Sequence, residues 1–307
     1  MHGFKLTQIR DVVAVAKRGS LRAAARELGI AQPAITRSIR EVERLLGTAL
    51  FDRSSKGAVP TPAGAAFIRR AIVIESELLR ARDEVAQIGG LETGSIAVGL
   101  STVPHLALLP RALPAFRARY PDIEIKLVEG LLSRMQQQLE DGQLDFYVGP
   151  LFEERLPGAL VAELLFTNER LIFARRNHPL SNARSLSELQ GAGWISTSVT
   201  HESDAELRPL FEAYGLPSPR VVMHAQSALT LMLATAYSDL LAVLPQQWCQ
   251  YPGVEQLIAR IHVQESMAAP AIYSVRRRRL PLTPAAQYMH DMLCRAVTSM
   301  PPISTRG

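Results

Sequence analysis

Gln32, Thr36 and Arg37, with Pro33 and Ala34 beside them, are the side chains in this chain best suited to reading a partner's hydrogen-bonding edge. A guanidinium forks onto guanine O6 and N7, a carboxamide onto adenine N6 and N7, and threonine offers a methyl or a hydroxyl. This is recognition chemistry and breaks no bond. Arg53 and Lys56, a short way downstream, carry charge suited to phosphate.

Those side chains need a scaffold, and residues 21 to 40 supply one as two short helices across a tight turn, a helix-turn-helix. Ala25 is small where the helices approach, Gly29 takes the turn position that favours positive φ, and Ile35 packs back from the second helix. Ser20 caps the first helix and is grouped with the DNA-facing residues. Gln32 and Pro33 open the second helix, where proline costs no hydrogen bond. A recognition helix docks through its first turns, which places Gln32, Pro33, Ala34, Thr36 and Arg37 in a major groove. Asp52 to Thr61 read as a wing whose turn carries Arg53 and Lys56. Residues 1 to 60 hold eleven Lys or Arg against five Asp or Glu, whereas the other residues hold 23 against 24. The positive charge is therefore local, as in a module that neutralises phosphates.

The helix expected over residues 4 to 17 backs this motif. After the wing, Thr61-Pro62 caps a helix that runs to Gly89-Gly90. Phe67, Ala71, Ile74, Leu78, Ala81, Val85 and Ile88 recur at alternating spacings of 4 and 3, the seam of a coiled coil that dimerises the chain. From Thr93 the texture becomes α/β. Strands are expected at Ile96–Leu100, Ile123–Val128, Leu144–Val148, Leu171–Phe173, Trp194–Ser196, Val221–Met223, Leu241–Leu244 and Ala271–Val275. Helices are expected at Pro104–Tyr120, around Arg134 to Glu140, and at Ser203–Tyr214, Ser227–Tyr237 and Thr283–Thr298. Two similar lobes follow.

In combination, Gly19-Ser20-Leu21, Ala31-Gln32-Pro33-Ala34, Glu41-Val-Glu43, Leu45-Leu-Gly47, Leu50-Phe51-Asp-Arg53 and Thr61-Pro-Ala-Gly64 resemble the LysR-type transcriptional regulators, and the resemblance extends along the chain. It implies a one-component regulator. Its fold would be α/β, with an N-terminal winged helix-turn-helix dominated by α-helix, a long linker helix, and a two-lobed effector domain like the periplasmic binding proteins. The corresponding boundaries are 1–61, 62–91 and 92–307, with lobe I over 92–165 and 270–300 and lobe II over 166–269. The chain would cross between lobes near Glu163–Asn168 and Glu265–Pro270. The expected partners are double-stranded DNA, a small-molecule effector, further copies of the chain as dimer or tetramer, and RNA polymerase.

In open α/β lobes ligands sit beyond the carboxyl ends of the strands. Ser101 and Thr102, Ser196, Thr197 and Ser198, and Gln226 and Ser227 each follow a strand and precede a helix, a lining suited to a small anion. Gly149 and Pro150 form the floor on the lobe I side, and His201 joins the lining. Relatives place an arginine where this chain has Pro150, so no relative's ligand carries over. His105 and His224 lie near the same strand ends as loop or core residues, and no metal or other cofactor is indicated. Cys249 and Cys294 read as core thiols, without the closely spaced pair of peroxide-sensing relatives. Arg276 to Arg279 read as a solvated run. The apolar stretch Leu229–Pro245 is interrupted by Ser238 and Asp239, and the first helix carries spread charge, so a cytoplasmic protein without membrane segments is expected. The rival reading, a two-lobed enzyme with an appended DNA-binding module, finds no G-x-S-x-G, phosphate-loop or Cys/His signature. An architectural DNA protein has no use for two hundred residues of sensor.

Overall fold

The computed structural model describes residues 3–54, 57–152, 156–197, 207–225 and 227–300. Lys56, Ser198, His201 and Gln226 lie outside these, as does the Arg53 side chain. The N-terminal domain comprises α1 (Leu6–Arg18), α2 (Leu21–Leu28), α3 (Gln32–Leu46), β1 (Phe51–Ser54) and β2 (Gly57–Pro60). Val12, Val15, Ala24, Ala25, Ile35, Ile39, Val42 and Leu50 form its core. Ser20 Oγ accepts from Ala23 N at 3.1 Å to cap α2, and Gly29 ends that helix at φ +65°. The wing is pinned to the head, because Ala58 N donates to Gly19 O at 2.8 Å. A Cβ on Gly57 would lie 2.4 Å from that same oxygen, at a φ of +110°.

α4 (Pro62–Ile88) is a single helix of 27 residues, about 40 Å long. Thr61 Oγ1 accepts from Gly64 N at 2.9 Å and donates to Ala49 O at 2.8 Å, fixing the angle at which α4 leaves the head. The apolar seam is divided. Ala71 is buried against Ile9 and Val13 of α1, and the Phe67 ring lies 5.5 Å from Phe4 in an edge contact. These two residues, expected between chains, are covered within one. The stripe that remains, Ile74, Leu78, Ala81, Val85 and Ile88, is exposed, Val85 and Ile88 by more than 70%.

The remainder carries β3 (Ser95–Leu100), α5 (Thr102–Ala107), α6 (Leu109–Arg119), β4 (Glu124–Glu129), α7 (Leu132–Glu140), β5 (Phe146–Pro150) and β6 (Leu160–Arg175). There follow β7 (Gly193–Ser196), α8 (Arg208–Glu212), β8 (Arg220–His224), α9 (Ala228–Ala236), β9 (Leu240–Pro245), β10 (Ile258–Ile261), β11 (Met267–Arg277) and α10 (Pro284–Thr298). The strands are ordered β4-β3-β5-β11-β6-β9-β7-β8, with β10 also on β6. β3, β4 and β5 are parallel, as are β7, β8 and β9, and the long β6 and β11 join the two sets antiparallel. The β6–β11 register shifts between Ala269 and Ile272, opposite Asn168 and Phe166, which marks the crossing between lobes. Lobe I packs Ile96, Phe116, Phe146 and Met289 under α6 and α10, and lobe II packs Trp194, Phe211 and Leu241.

Several expectations change. The helix Pro104–Tyr120 is two helices, because Pro110 has no N–H to donate and its ring excludes the carbonyl four residues back. β6 runs sixteen residues where Leu171–Phe173 was expected, and β10 was not anticipated. Glu163, Asn168, Glu169 and Arg170 break the apolar pattern of β6, whose backbone is instead held by strands on both sides. Of the Arg276–Arg279 run, Arg277 is buried rather than solvated. The thiols are not core residues, since Cys249 is exposed and Cys294 half-buried. Of the helix expected over Ser203–Tyr214, the described part is α8.

Candidate nucleic-acid interface and effector cleft

α3 is buried along Ile35, Ile39 and Val42, which turns the opposite face outward from its first turn. Gln32, Pro33, Ala34 and Arg37 are exposed, Thr36 and Ser20 partly so. The Thr36 hydroxyl donates to Gln32 O at 2.9 Å, leaving its methyl and lone pairs for a partner. Gln32, Pro33, Thr36 and Arg37 share one shallow concavity with Arg40, Glu41 and Arg44. Arg40 and Arg44 extend the face beyond Arg37, and the spacing 33, 37, 40, 44 marks one side of the helix. Arg44 is held by Glu41, Nη2 to Oε1 2.6 Å and Nε to Oε2 3.2 Å, and that hydrogen bond lowers the Glu41 carboxyl pKa below its ordinary value.

The strand registers fix where a cleft between lobes must lie. Pro150, the end of β5, sits opposite Ile272, and Pro245, the end of β9, opposite Arg170. Both parallel sets therefore point their carboxyl ends at the crossing. On the lobe I side Ser101 N donates to Val148 O at 3.0 Å, which places Ser101, Thr102, Gly149 and Pro150 together. A Cβ on Gly149 would lie 2.1 Å from the Tyr147 hydroxyl oxygen and 2.9 Å from Ser101 Cβ, so this glycine admits both groups to the floor. On the lobe II side Ser196 pairs with His224, and Ala225 N donates to Ser196 O at 3.0 Å. Thr197 lies next to Ser196, while Ser227 starts α9 and is exposed. The candidate residues thus form two sets, one per lobe. α5 of lobe I packs on the single-turn helix Gln246–Gln250 of lobe II, and Leu106 joins the cluster around Phe173 and Trp248.

Asn168 Nδ2, Gln247 Oε1 and Trp248 Nε1 are buried around this junction without a hydrogen-bond partner, and the buried Ser101 and Tyr147 hydroxyls face each other. Gln247 Nε2 donates to Asn168 Oδ1 at 2.8 Å, which orients both amides and leaves one donor and one acceptor unused. Burial raises the Tyr147 hydroxyl pKa far above its ordinary value, so it stays a donor. Of these, only Ser101 was visible in the sequence. Tyr147 lies in the expected strand Leu144–Val148, and Asn168 and Gln247 carry no local signal, because the topology that gathers them is non-local. His105 is tied down locally, its Nδ1 3.0 Å from Ser101 O. Among the described residues no three His, Cys, Asp or Glu side chains gather as metal ligands.

A winged helix-turn-helix carried on a long helix, followed by two lobes hinged on paired strands, defines a DNA-binding head joined to a small-molecule-binding domain. Residues 6–65 match the family model for the bacterial regulatory helix-turn-helix protein of the lysR family, and residues 89–297 that for the LysR substrate binding domain. The chain belongs to the LysR family of transcriptional regulators. It is similar to the HTH-type transcriptional regulator TdcA of Escherichia coli (strain K12), 24% identical over 278 residues, 91% of this chain and 88% of that one. It is also similar to the HTH-type transcriptional regulator CbbR of Sinorhizobium medicae, 35% identical over 189 residues, 61% of this chain and 59% of that one. The crystal structure of CbnR, a LysR family transcriptional regulator, superposes with a TM-score of 0.68 at 20% identity over 95% of this chain and 99% of that one. Full-length CbnR complexed with target DNA superposes with the same TM-score at 21% identity.

Proposed function

We propose that the chain is a cytoplasmic regulator that reads operator DNA through α3 and the wing, and answers a small anionic metabolite held between its lobes. It acts as a dimer or tetramer through the exposed seam of α4, with RNA polymerase as its partner at the promoter. It needs no metal or organic cofactor. The observation that carries the sensing is the set of buried polar groups at the crossing, of which Asn168 Nδ2, Gln247 Oε1 and Trp248 Nε1 have no partner, at a cost of about 1 to 3 kcal/mol each. Asn168 Nδ2, with the facing Ser101 and Tyr147 hydroxyls, supplies donors suited to a carboxylate.

It is not an enzyme on this reading. Ser274 Oγ lies 2.8 Å from His290 Nε2 and Asp291 lies 3.7 Å from His290, but Ser274 and His290 are buried where β11 meets α10. The test is a thermal-shift screen of the full chain against aromatic and aliphatic acids, sugars and amino acids. A ligand at a hundredfold its Kd adds about 2.7 kcal/mol to stability. The expected hit is an acid, left unconsumed, whose stabilisation disappears in Ser101→Ala/Tyr147→Phe. A hit whose Kd that variant leaves unchanged places the ligand elsewhere.

A further inference from the structure

The end of α4 remote from the head meets lobe I through buried charge. Arg80 reaches into the turn between α7 and β5, where Nη2 and Nε donate to Gly142 O at 2.7 and 3.3 Å and Nη1 donates to Asp145 Oδ1. The other Asp145 oxygen accepts from Ala97 N of β3 at 2.7 Å. Arg277, the last residue of β11, brings Nη1 to 2.5 Å from Glu77 Oε1. Gly142 makes room for this pair. Its φ is +73°, and a Cβ there would lie 2.7 Å from Arg277 Nη1. The Arg80, Asp145 and Arg277 side chains are each less than 15% exposed, and Glu77 is 32% exposed. Arg277 Nε and Nη1 and Glu77 Oε1 are buried without hydrogen-bond geometry, so Arg277 and Glu77 meet as charges in contact.

The position of this network in the sheet gives it a role. Asp145 precedes β5 and Ala97 lies near the start of β3, while Ser101, Gly149 and Pro150 stand at the far ends of those strands. Pro150 is about 17 Å from Asp145 along an extended strand. β11 runs from the lobe crossing at Ala269–Ile272 to Arg277. The three strands that frame the lobe I side of the cleft thus end on the two ion pairs that grip α4. Buried ion pairs are poor stabilisers, because desolvation offsets their attraction, but displacing one partner leaves the other charge buried and uncompensated.

We propose that Glu77, Arg80, Asp145 and Arg277, cradled by Gly142, are positioning residues that set the angle of α4 on lobe I, and through it where the effector lobes stand relative to the DNA-reading head. The proposal rests on the DNA-binding reading above. Its first test is the distance between spin labels at Arg82→Cys on α4 and Lys126→Cys on β4, in full-length protein carrying Cys249→Ser and Cys294→Ala. The parent gives one narrow distribution. Arg80→Met/Asp145→Asn, which removes both charges and keeps an acceptor for Ala97 N, and Glu77→Leu/Arg277→Met each broaden it.

The second test repeats the measurement with labels at Arg22→Cys on α2 and Lys126→Cys, which reads the lobe against the head itself. The parent again gives one narrow distribution and both variants broaden it, while both keep the parent's affinity for DNA selected by the protein from random sequence. An unchanged distance in both variants at both label pairs overturns the proposal. Failure of both variants to fold overturns it as well, since the charges would then be structural. A parent that selects no DNA refutes the DNA-binding reading instead, and the label distances still decide the joint.

Discussion

The two ends of α4 are held by opposite kinds of chemistry. At the head, Gly64 sits so close to Leu50 that a Cβ would lie 1.9 Å from its carbonyl oxygen, while Ala71 packs on Ile9 and Val13 and Phe67 on Phe4. At lobe I the contacts are Arg80 to Asp145 and Arg277 to Glu77, with Asp83 accepting from Ser95 N and Gln87 from Ala285 N. An apolar, close-packed joint has one arrangement and resists being moved. Burial raises the Asp145 carboxyl pKa and lowers that of the Arg80 guanidinium against their mutual attraction, so each charge depends on the other staying in place. The head end is therefore the fixed mounting of α4 and the lobe end the adjustable one.

The largest effect should come from the stretch between the two mountings. Ile74→Asp/Leu78→Asp puts carboxylates on the exposed seam, and light scattering should then report monomers. Operator affinity should fall on the order of 10² to 10⁴-fold, because two linked heads gain that much from binding together. An intact dimer in this variant would remove the seam.

Next in size, Ala71→Asp should cost the head about 3 kcal/mol or more in chemical denaturation by burying an uncompensated charge. Arg80→Met/Asp145→Asn removes both charges, keeps the acceptor for Ala97 N and should cost less than half of that. Equal losses at the two ends would erase the contrast drawn between them.

Within the reading face, Arg37→Ala should weaken the operator complex by roughly 1 to 3 kcal/mol and relax preference at one base pair. Arg40→Ala should weaken all DNA alike and reduce the salt slope by about one. Swapped behaviour in a binding titration over several salt concentrations would exchange their assignments.

The smallest effect is a pH dependence. Burial lowers the His290 pKa below the ordinary histidine value of about 6.5. The unfolded chain therefore takes up this proton at a higher pH than the folded chain does. Stability is full above about pH 7 and declines as pH falls towards the lowered value, by at most about 1.4 kcal/mol per pH unit. His290→Gln keeps a partner for Ser274 and should flatten Tm between pH 7.5 and 5.5. A slope as steep as the parent's would assign that dependence to other groups.

The head was legible almost residue by residue. Its determinants are local: a cap at Ser20, an αL glycine at Gly29, a proline opening α3, and apolar residues at helical spacing. The lobes were legible as texture, and their cleft only through Ser101 and its hydroxyl neighbours. What stayed hidden was set by pairing across long stretches of chain. The β6 pattern is broken by Glu163 and Asn168 yet held between strands, and Arg277 reads as one arginine in a run of four until β11 delivers it to Glu77. Phe67 and Ala71 fit the seam by spacing, but nothing in the spacing says that α1 covers them first.

The place of β11 in the sheet has a consequence for the order in which the molecule is made. It lies between β5 and β6, but about 90 residues separate its first residue from the end of β6. At roughly 5 to 20 residues per second a ribosome needs about 5 to 20 seconds to synthesise that stretch. During that interval lobe I has an open slot, and α4 lacks the arginine that meets Glu77. The head, whose core closes with Ile68 and Ala71 of α4, can fold in that time while still attached to a half-built sensor. A newborn chain thus carries its reading head for seconds before it carries a whole sensor.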